Sequence, residues 1–278
     1  MTPREDLRRL VVTGGFGRVA GVIVPPLRDA YSIHVVDRTR AASAVEPDLV
    51  TLGDLLDPEV ARRALQGADA VLHLASSASP RSTWAVAMDN LQIAHHVLDA
   101  AAECGVPTVI LASSVHAAGG DFRAGATPVR SDRAARPCCA YGMAKAAMEA
   151  AAALHHDVTG ASVSSIRFGL TGWPLTNRQL ADTWLGDDDA ADLVRRALAA
   201  PPHLGVYHGV SRHGATQWSV DNAAADLGWA PRQDLPVPLG DLPPATEAHC
   251  RMFDVGVARH DSAPTTDDRT RRSDKDHS

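Results

Sequence analysis

Apolar positions along this chain fall into short unbroken runs separated by longer stretches of helical period. Leu10-Val11-Val12-Thr13, Ser32-Ile33-His34-Val35-Val36 and Ala70-Val71-Leu72-His73-Leu74-Ala75 are almost wholly apolar. Runs of that kind are strands covered on both faces rather than on one. Comparable runs at 48–52, 107–112 and 161–168 bring the predicted strands to six. Between them lie predicted helices at 18–24, from 57 onward, at 83–104 and at 139–156. Pro25-Pro26 should stop the first helix, because proline removes a donor and clashes one turn back. Pro58 sits where a first-turn proline is tolerated.

Strands alternating with helices predict an α/β fold, a Rossmann-type doubly wound parallel sheet. The regularity fades after Gly169. A helix at 187–200, a strand at 205–211 and a short helix at 221–228 suggest a small C-terminal substrate-binding subdomain. The expected division is a dinucleotide-binding domain over 8–168, a substrate-covering part over 169–258 packed on it, and a disordered polar tail over 259–278.

Composition narrows the function. The 278 residues are 45% hydrophobic but only 4% aromatic, so the core must be mostly Ala, Val and Leu. A net charge of −6 argues against a nucleic-acid partner. No apolar stretch is long enough for a membrane span, and the N-terminus carries no apolar signal core. The four cysteines, Cys104, Cys138, Cys139 and Cys250, form no C-x-x-C pair. The histidines show no metal spacing, so a reduced cytoplasmic chain without a metal is expected.

The first strand runs into Thr13-Gly14-Gly15-Phe16-Gly17-Arg18-Val19-Ala20. Gly14 allows a tight turn, Gly17 lets backbone approach a pyrophosphate, and the helix start offers free amides to its charge. The second strand ends at Asp37, whose carboxylate can accept from a ribose 2′-OH and repel a 2′-phosphate. NAD is therefore expected over NADP, with Arg38 and Arg40 as the counter-signal. Phe16, Arg18, Asp54, Leu55 and Ala75 complete the expected cofactor contacts.

Tyr141 and Lys145 stand at i and i+4, on one face of a helix. A nearby ammonium should lower the tyrosine pKa towards a working base, and the same lysine can hold the nicotinamide ribose. Only Lys145 and Lys275 are lysine; the other 25 basic residues are arginine. A compact ammonium at 145 is therefore chosen where the chain otherwise uses a planar fork. Ser113-Ser114 closes the fifth strand 27 residues earlier. Ser114 is expected to polarise a substrate oxygen and turn it towards Tyr141.

In this order, Gly14, Gly17, Asp37, Asp54-Leu55, Ser114, Tyr141 and Lys145 resemble the extended short-chain dehydrogenase/reductase family, also called the NAD-dependent epimerase/dehydratase family. The resemblance spans about residues 8 to 240. Ala112-Ser113-Ser114-Val115-His116, Thr183-Trp184-Leu185-Gly186-Asp187-Asp188 and Gln217-Trp218-Ser219-Val220-Asp221-Asn222 are most similar to uronate dehydrogenases. The resemblance implies oxidation of C1 of a cyclic uronic acid to a lactone, with Tyr141 taking the hydroxyl proton, and assembly as a homo-oligomer. It also implies that Ser77, Ser113, Val115, His116 and Arg178 bind substrate, with Arg178 gripping the carboxylate. The family's Ser-Ser-Asn-His reads Ser-Ser-Val-His here. A nucleotide-sugar or pathway-specific epimerase/dehydratase is the alternative, and a non-catalytic NAD-binding protein a third reading.

Overall fold

The computed structural model describes residues 7–246 and 250–253; the polar tail expected over 259–278 lies outside them. Its strands are β1 (Arg8–Thr13), β2 (Tyr31–Asp37), β3 (Leu49–Leu52), β4 (Ala70–His73), β5 (Thr108–Ser114), β6 (Ser162–Phe168) and β7 (Leu204–Gly209). Its helices are α1 (Arg18–Ile23), α2 (Pro58–Leu65), α3 (Trp84–Glu103), α4 (Gly119–Arg123), α5 (Ala140–Thr159), α6 (Arg178–Ala181), α7 (Asp187–Ala199) and α8 (Asp221–Leu227). As expected, α1 stops before the proline pair, and Pro25–Leu27 continues as a single 3-10 turn.

The strands form one sheet in the order β3-β2-β1-β4-β5-β6-β7, and every pairing is parallel. The order reverses between β1 and β4. Loops leaving neighbouring strand ends there depart to opposite faces and open a crevice at the carboxyl edge.

Successive residues of a strand point to opposite faces, and both faces are apolar. Leu10, Val12, Ile33, Val35, Leu72, Ile110 and Ile166 enter one core with α1, α7 and Trp229. Val11, Val36, Val71, Val109, Leu111 and Val163 enter the other with α2, α3 and α5. The predicted C-terminal part thus contributes β7 as an edge strand of the main sheet and α7 to its first core. A smaller apolar cluster joins Val115, Phe122, Cys138, Leu180, Trp218, Cys250, Met252 and Phe253 beside the crevice.

Several buried polar groups are paired between the sheet and its helices. Arg167 on β6 makes a two-pronged ion pair with Glu149 on α5, at 2.8 and 2.7 Å, and both side chains are almost fully enclosed. Asp189 on α7 accepts from Ser211 Oγ at 2.7 Å and from the amides of Arg232 and Gln233. These contacts staple the segments after β6 to the sheet.

Candidate active site

Two cavities meet at the crevice. The first, of about 370 Å³, is lined by Gly14, Gly17, Asp37, Arg38, Asp54, Leu55, Ala75, Ser76, Ser77 and Asn90, among others. Gly14 has a φ of +66°, and a Cβ there would meet Ala75 Cα and N at 2.8 Å. Only glycine permits both that conformation and that approach. The Asp37 carboxylate accepts from Phe16 N at 3.0 Å and from Arg38 N at 2.7 Å. It is therefore fixed at the rim of the glycine turn with lone pairs left for a ribose hydroxyl. Arg40 lies over the Phe16 ring, 5.8 Å from its centroid.

This glycine cradle, with a carboxylate held opposite it, fits a dinucleotide with an unphosphorylated 2′-OH. Arg18 instead stacks with Trp173, 5.6 Å from the ring centroid. Ser77 lines this first cavity and not the second. Asn90 holds the Ser77 loop by accepting from Ser77 N at 2.8 Å and donating to its carbonyl at 3.2 Å.

The second cavity, of about 400 Å³, lies over the ends of β5 and β6. Ser79, Ser114, Val115, His116, Tyr141, Thr171, Trp173, Thr183 and Phe253 are among its lining. A narrower space of about 90 Å³ connects the two and is walled by Ser76, Ser114, Tyr141 and Lys145. The predicted catalytic residues thus stand together at the junction. Lys145 Nζ donates to Ala112 O at 2.7 Å and lies 5.5 Å from the Tyr141 ring centroid.

The electrostatics of that junction differ from the sequence expectation. Burial pushes Tyr141 up to about 12, against the favourable effect of Ser114. Burial also brings Lys145 down to about 7, opposed by Glu149. Desolvation outweighs the favourable contacts of each group, and the Lys145 ammonium is not among the causes that act on the phenol. Ser76 Oγ is buried and makes no hydrogen bond of normal geometry, yet it lies close enough to favour the Tyr141 phenolate. A buried hydroxyl without a partner beside the base marks a place for a ligand oxygen.

Other expected substrate contacts are redistributed. Ser113 donates its hydroxyl to Glu149, so it is tied to the buried Arg167–Glu149 pair. Arg178 does not line the cavity. Its guanidinium donates to Leu242 O at 2.7 Å and Gly240 O at 2.8 Å, which turns it away from the crevice. A side chain that does line the cavity, with a ring N–H able to donate to a carboxylate, is His116. Burial alone would lower its pKa, but hydrogen bonds and charge from Cys139 and Cys250 outweigh that and raise it to about 9. Sequence reasoning missed Thr171, Met252 and Phe253. Thr171 follows β6, so position after a parallel strand was a usable signal for it.

The sequence pattern of the NAD dependent epimerase/dehydratase family matches residues 10–171. A uronate dehydrogenase of Pseudomonas syringae pv. tomato is 32% identical over 240 residues, covering 85% of this chain and 86% of that protein. An NAD-dependent glucose-6-phosphate dehydrogenase of Haloferax volcanii is 30% identical over 81% of this chain and 93% of its own. The crystal structure of a glucuronic acid dehydrogenase from Chromohalobacter salexigens matches with a TM-score of 0.74 at 29% identity, covering 83% of this chain and 86% of that one. No helix among the described residues is long and apolar enough to cross a membrane. A strand-order switch over a glycine cradle, an acid closing β2 and a Tyr-x-x-x-Lys helix agree with those matches: the chain belongs to the NAD dependent epimerase/dehydratase family.

Proposed function

We propose that this protein is an NAD-dependent dehydrogenase that oxidises C1 of a cyclic uronic acid to the lactone. The observation that carries this reading is the meeting of the two cavities at Ser114, Tyr141 and Lys145. Gly14, Gly17, Asp37, Asp54, Leu55 and Ala75 would hold the dinucleotide. NAD⁺, when bound, would supply the hydride acceptor.

Tyr141 takes the proton of the C1 hydroxyl as general base. Ser114 steadies the reacting oxygen against Tyr141, and Lys145, anchored to Ala112 O, would hold the nicotinamide ribose. The apolar walls, Val115, Phe168, Leu170 and Phe253, exclude water from the reacting carbon. His116 is the carboxylate partner we assign, because it lines the cavity and Arg178 does not.

Relatives of this chain divide between uronates and a phosphorylated hexose, so the substrate class is tested directly. The purified protein with NAD⁺ is offered D-glucuronate, D-galacturonate, glucose 6-phosphate and neutral hexoses, and NADH is followed by absorbance. NADH with the uronates, and much less with the others, supports the reading. A preference for glucose 6-phosphate would replace the substrate. Tightly retained NAD with no net NADH would favour an epimerase instead.

A further inference from the structure

Three of the four cysteines converge on one histidine in the wall behind the substrate cavity. His116 Nδ1 lies 3.3 Å from Cys138 Sγ and 3.7 Å from Cys250 Sγ, and the three ligand atoms all fall within 4.8 Å of one another. Cys139 Sγ stands 4.0 Å from Cys138 Sγ. The catalytic steps use none of these sulfurs.

No spacing in the sequence announces this cluster, since Cys250 is 134 residues from His116. The fold assembles it by separate devices. His116 sits in the 3-10 turn that follows β5. Cys138 is drawn to that turn by its amide, which donates to His116 O at 3.2 Å. Cys139 caps α5, and its sulfur accepts from Gly142 N at 3.4 Å. Cys250 opens the segment that carries Met252 and Phe253 into the substrate cavity. Gly119 leaves room for the sulfur, because a Cβ there would lie 2.6 Å from Cys138 Sγ.

Thiolate and imidazole together are a preferred ligand set of Zn²⁺. Zinc–sulfur bonds of about 2.3 Å and zinc–nitrogen bonds of about 2.0–2.1 Å, set tetrahedrally, separate ligand atoms by roughly 3.5–3.8 Å. The separations of 3.3, 3.7 and 4.0 Å bracket that range. We propose that His116 Nδ1, Cys138 and Cys250 bind a zinc ion, with the Cys139 sulfur, which stands outside that 4.8 Å group, turning in to close the fourth position.

On binding, the ligating thiols and the His116 ring release to solvent the protons they hold, and the imidazole binds neutral. No electron changes hands. Three thiolates around a divalent ion leave one negative charge. Arg81, Arg123 and Arg251 line a cavity of about 760 Å³ with the same cysteines, which offsets that charge and gives the ion a path in. The ion would tie the Cys250–Phe253 segment to the loop that precedes Tyr141. It would also fix the His116 ring while leaving its Nε2–H as a donor towards the substrate cavity. Its role is to finish the pocket, not to activate water.

The test uses the full chain, reduced, freed of metal with a chelator and titrated anaerobically with Co²⁺. One equivalent is expected to bind with the visible bands of four-coordinate cobalt and near-ultraviolet sulfur-to-cobalt charge transfer, and Zn²⁺ should displace it. Cys138→Ser and Cys250→Ser should each weaken binding by more than the roughly 10–100-fold lost on removing a partner hydrogen-bonded to a ligand. Cys104→Ser, remote from the cluster, should not. Cys139→Ser should lower the charge-transfer intensity. A second measurement needs no variant: Zn²⁺ should shield Cys138, Cys139 and Cys250, but not Cys104, from alkylation of the wild-type protein. A folded, reduced protein that binds no cobalt, or zinc that leaves all four cysteines equally reactive, would overturn the proposal.

Discussion

The Lys145 ammonium lies 5.5 Å from the centre of the Tyr141 ring, one helical turn along α5, and is anchored to the Ala112 carbonyl of β5 at 2.7 Å. That anchor ties helix to sheet at the point where the two cavities join. Both side chains are enclosed, so neither holds its ordinary pKa: burial raises the phenol to about 12 and brings the amine to about 7.

Tyr141→Phe removes the proposed base without changing the shape of the pocket. It is expected to lower kcat by about 10²–10⁴-fold while the affinity for NAD⁺ stays close to that of the native protein. The oxidation rate of the native protein should rise with pH across about pH 6–9, since the phenolate fraction grows tenfold per unit below its pKa. A Tyr141→Phe variant with native kcat would remove the residue from the mechanism.

Asp37 has two tasks, holding Phe16 N and facing the cofactor cavity. Asp37→Ser keeps a small acceptor for Phe16 N but loses the charge that repels a 2′-phosphate. The ratio of kcat/KM for NAD⁺ to that for NADP⁺ should fall by at least about tenfold, the equivalent of roughly 1.4 kcal/mol. Steady-state kinetics with both cofactors measure it. An unchanged ratio would mean that Arg38 or the cavity shape sets the preference.

Arg178 decides between the sequence expectation and the observed geometry. Its guanidinium is committed to the Leu242 and Gly240 carbonyls. Arg178→Ala is expected to raise the uronate KM by less than about tenfold, whereas losing one partner of a buried carboxylate pair costs about 2–5 kcal/mol. A thousandfold rise in KM would restore Arg178 as the carboxylate ligand.

The parallel sheet and the glycine cradle were legible in the sequence because each rests on local chemistry. Continuous apolar runs specify strands covered on both faces, and Gly14 is required by its own turn. Tyr141 and Lys145 were legible because helical spacing fixes which side chains are neighbours. What could not be read were long-range commitments. Nothing near Arg178 in sequence shows that carbonyls more than sixty residues on would take its donors. Nothing near Ser113 shows that Glu149, buried with Arg167, would take its hydroxyl. The Thr183–Asp188 and Gln217–Asn222 strings, read as family signatures, lie at or beside residues that support the frame: Asp189, which follows the first string, ties α7 to Ser211 and to the amides of Arg232 and Gln233, and Trp218 of the second stacks on Phe122 with centroids 5.2 Å apart.

The buried pair of Arg167 and Glu149 is expected to be costly to break. Glu149→Ala leaves an enclosed guanidinium uncompensated and frees the Ser113 hydroxyl. A loss of about 3–5 kcal/mol in unfolding free energy is expected, measured by urea denaturation. A loss below about 1 kcal/mol, the size of a surface pair, would show that water reaches Arg167.

Buried histidines make the fold sensitive to acid. Burial lowers His73 and His208 from 6.5 to about 3, and His34 to about 4. The unfolded chain takes up these protons below pH 6.5 while the folded chain does not, so their stabilising effect is complete above pH 6.5 and is lost as pH falls. Each contributes up to about 1.4 kcal/mol per pH unit in that window. Thermal unfolding should move to lower temperature between about pH 6.5 and 5. A midpoint constant over that range would contradict the burial of these rings.

The central claim is that a sugar-acid C1 hydride leaves as Tyr141 removes the hydroxyl proton. The most direct measurement mixes the enzyme with NAD⁺ and glucuronate carrying deuterium at C1, and weighs the NADH formed. One deuterium per NADH with the native protein, and labelled NADH formed at least about a hundredfold more slowly by Tyr141→Phe, is the predicted result. Unlabelled NADH, or labelled NADH formed as fast by the Tyr141→Phe protein, would contradict it.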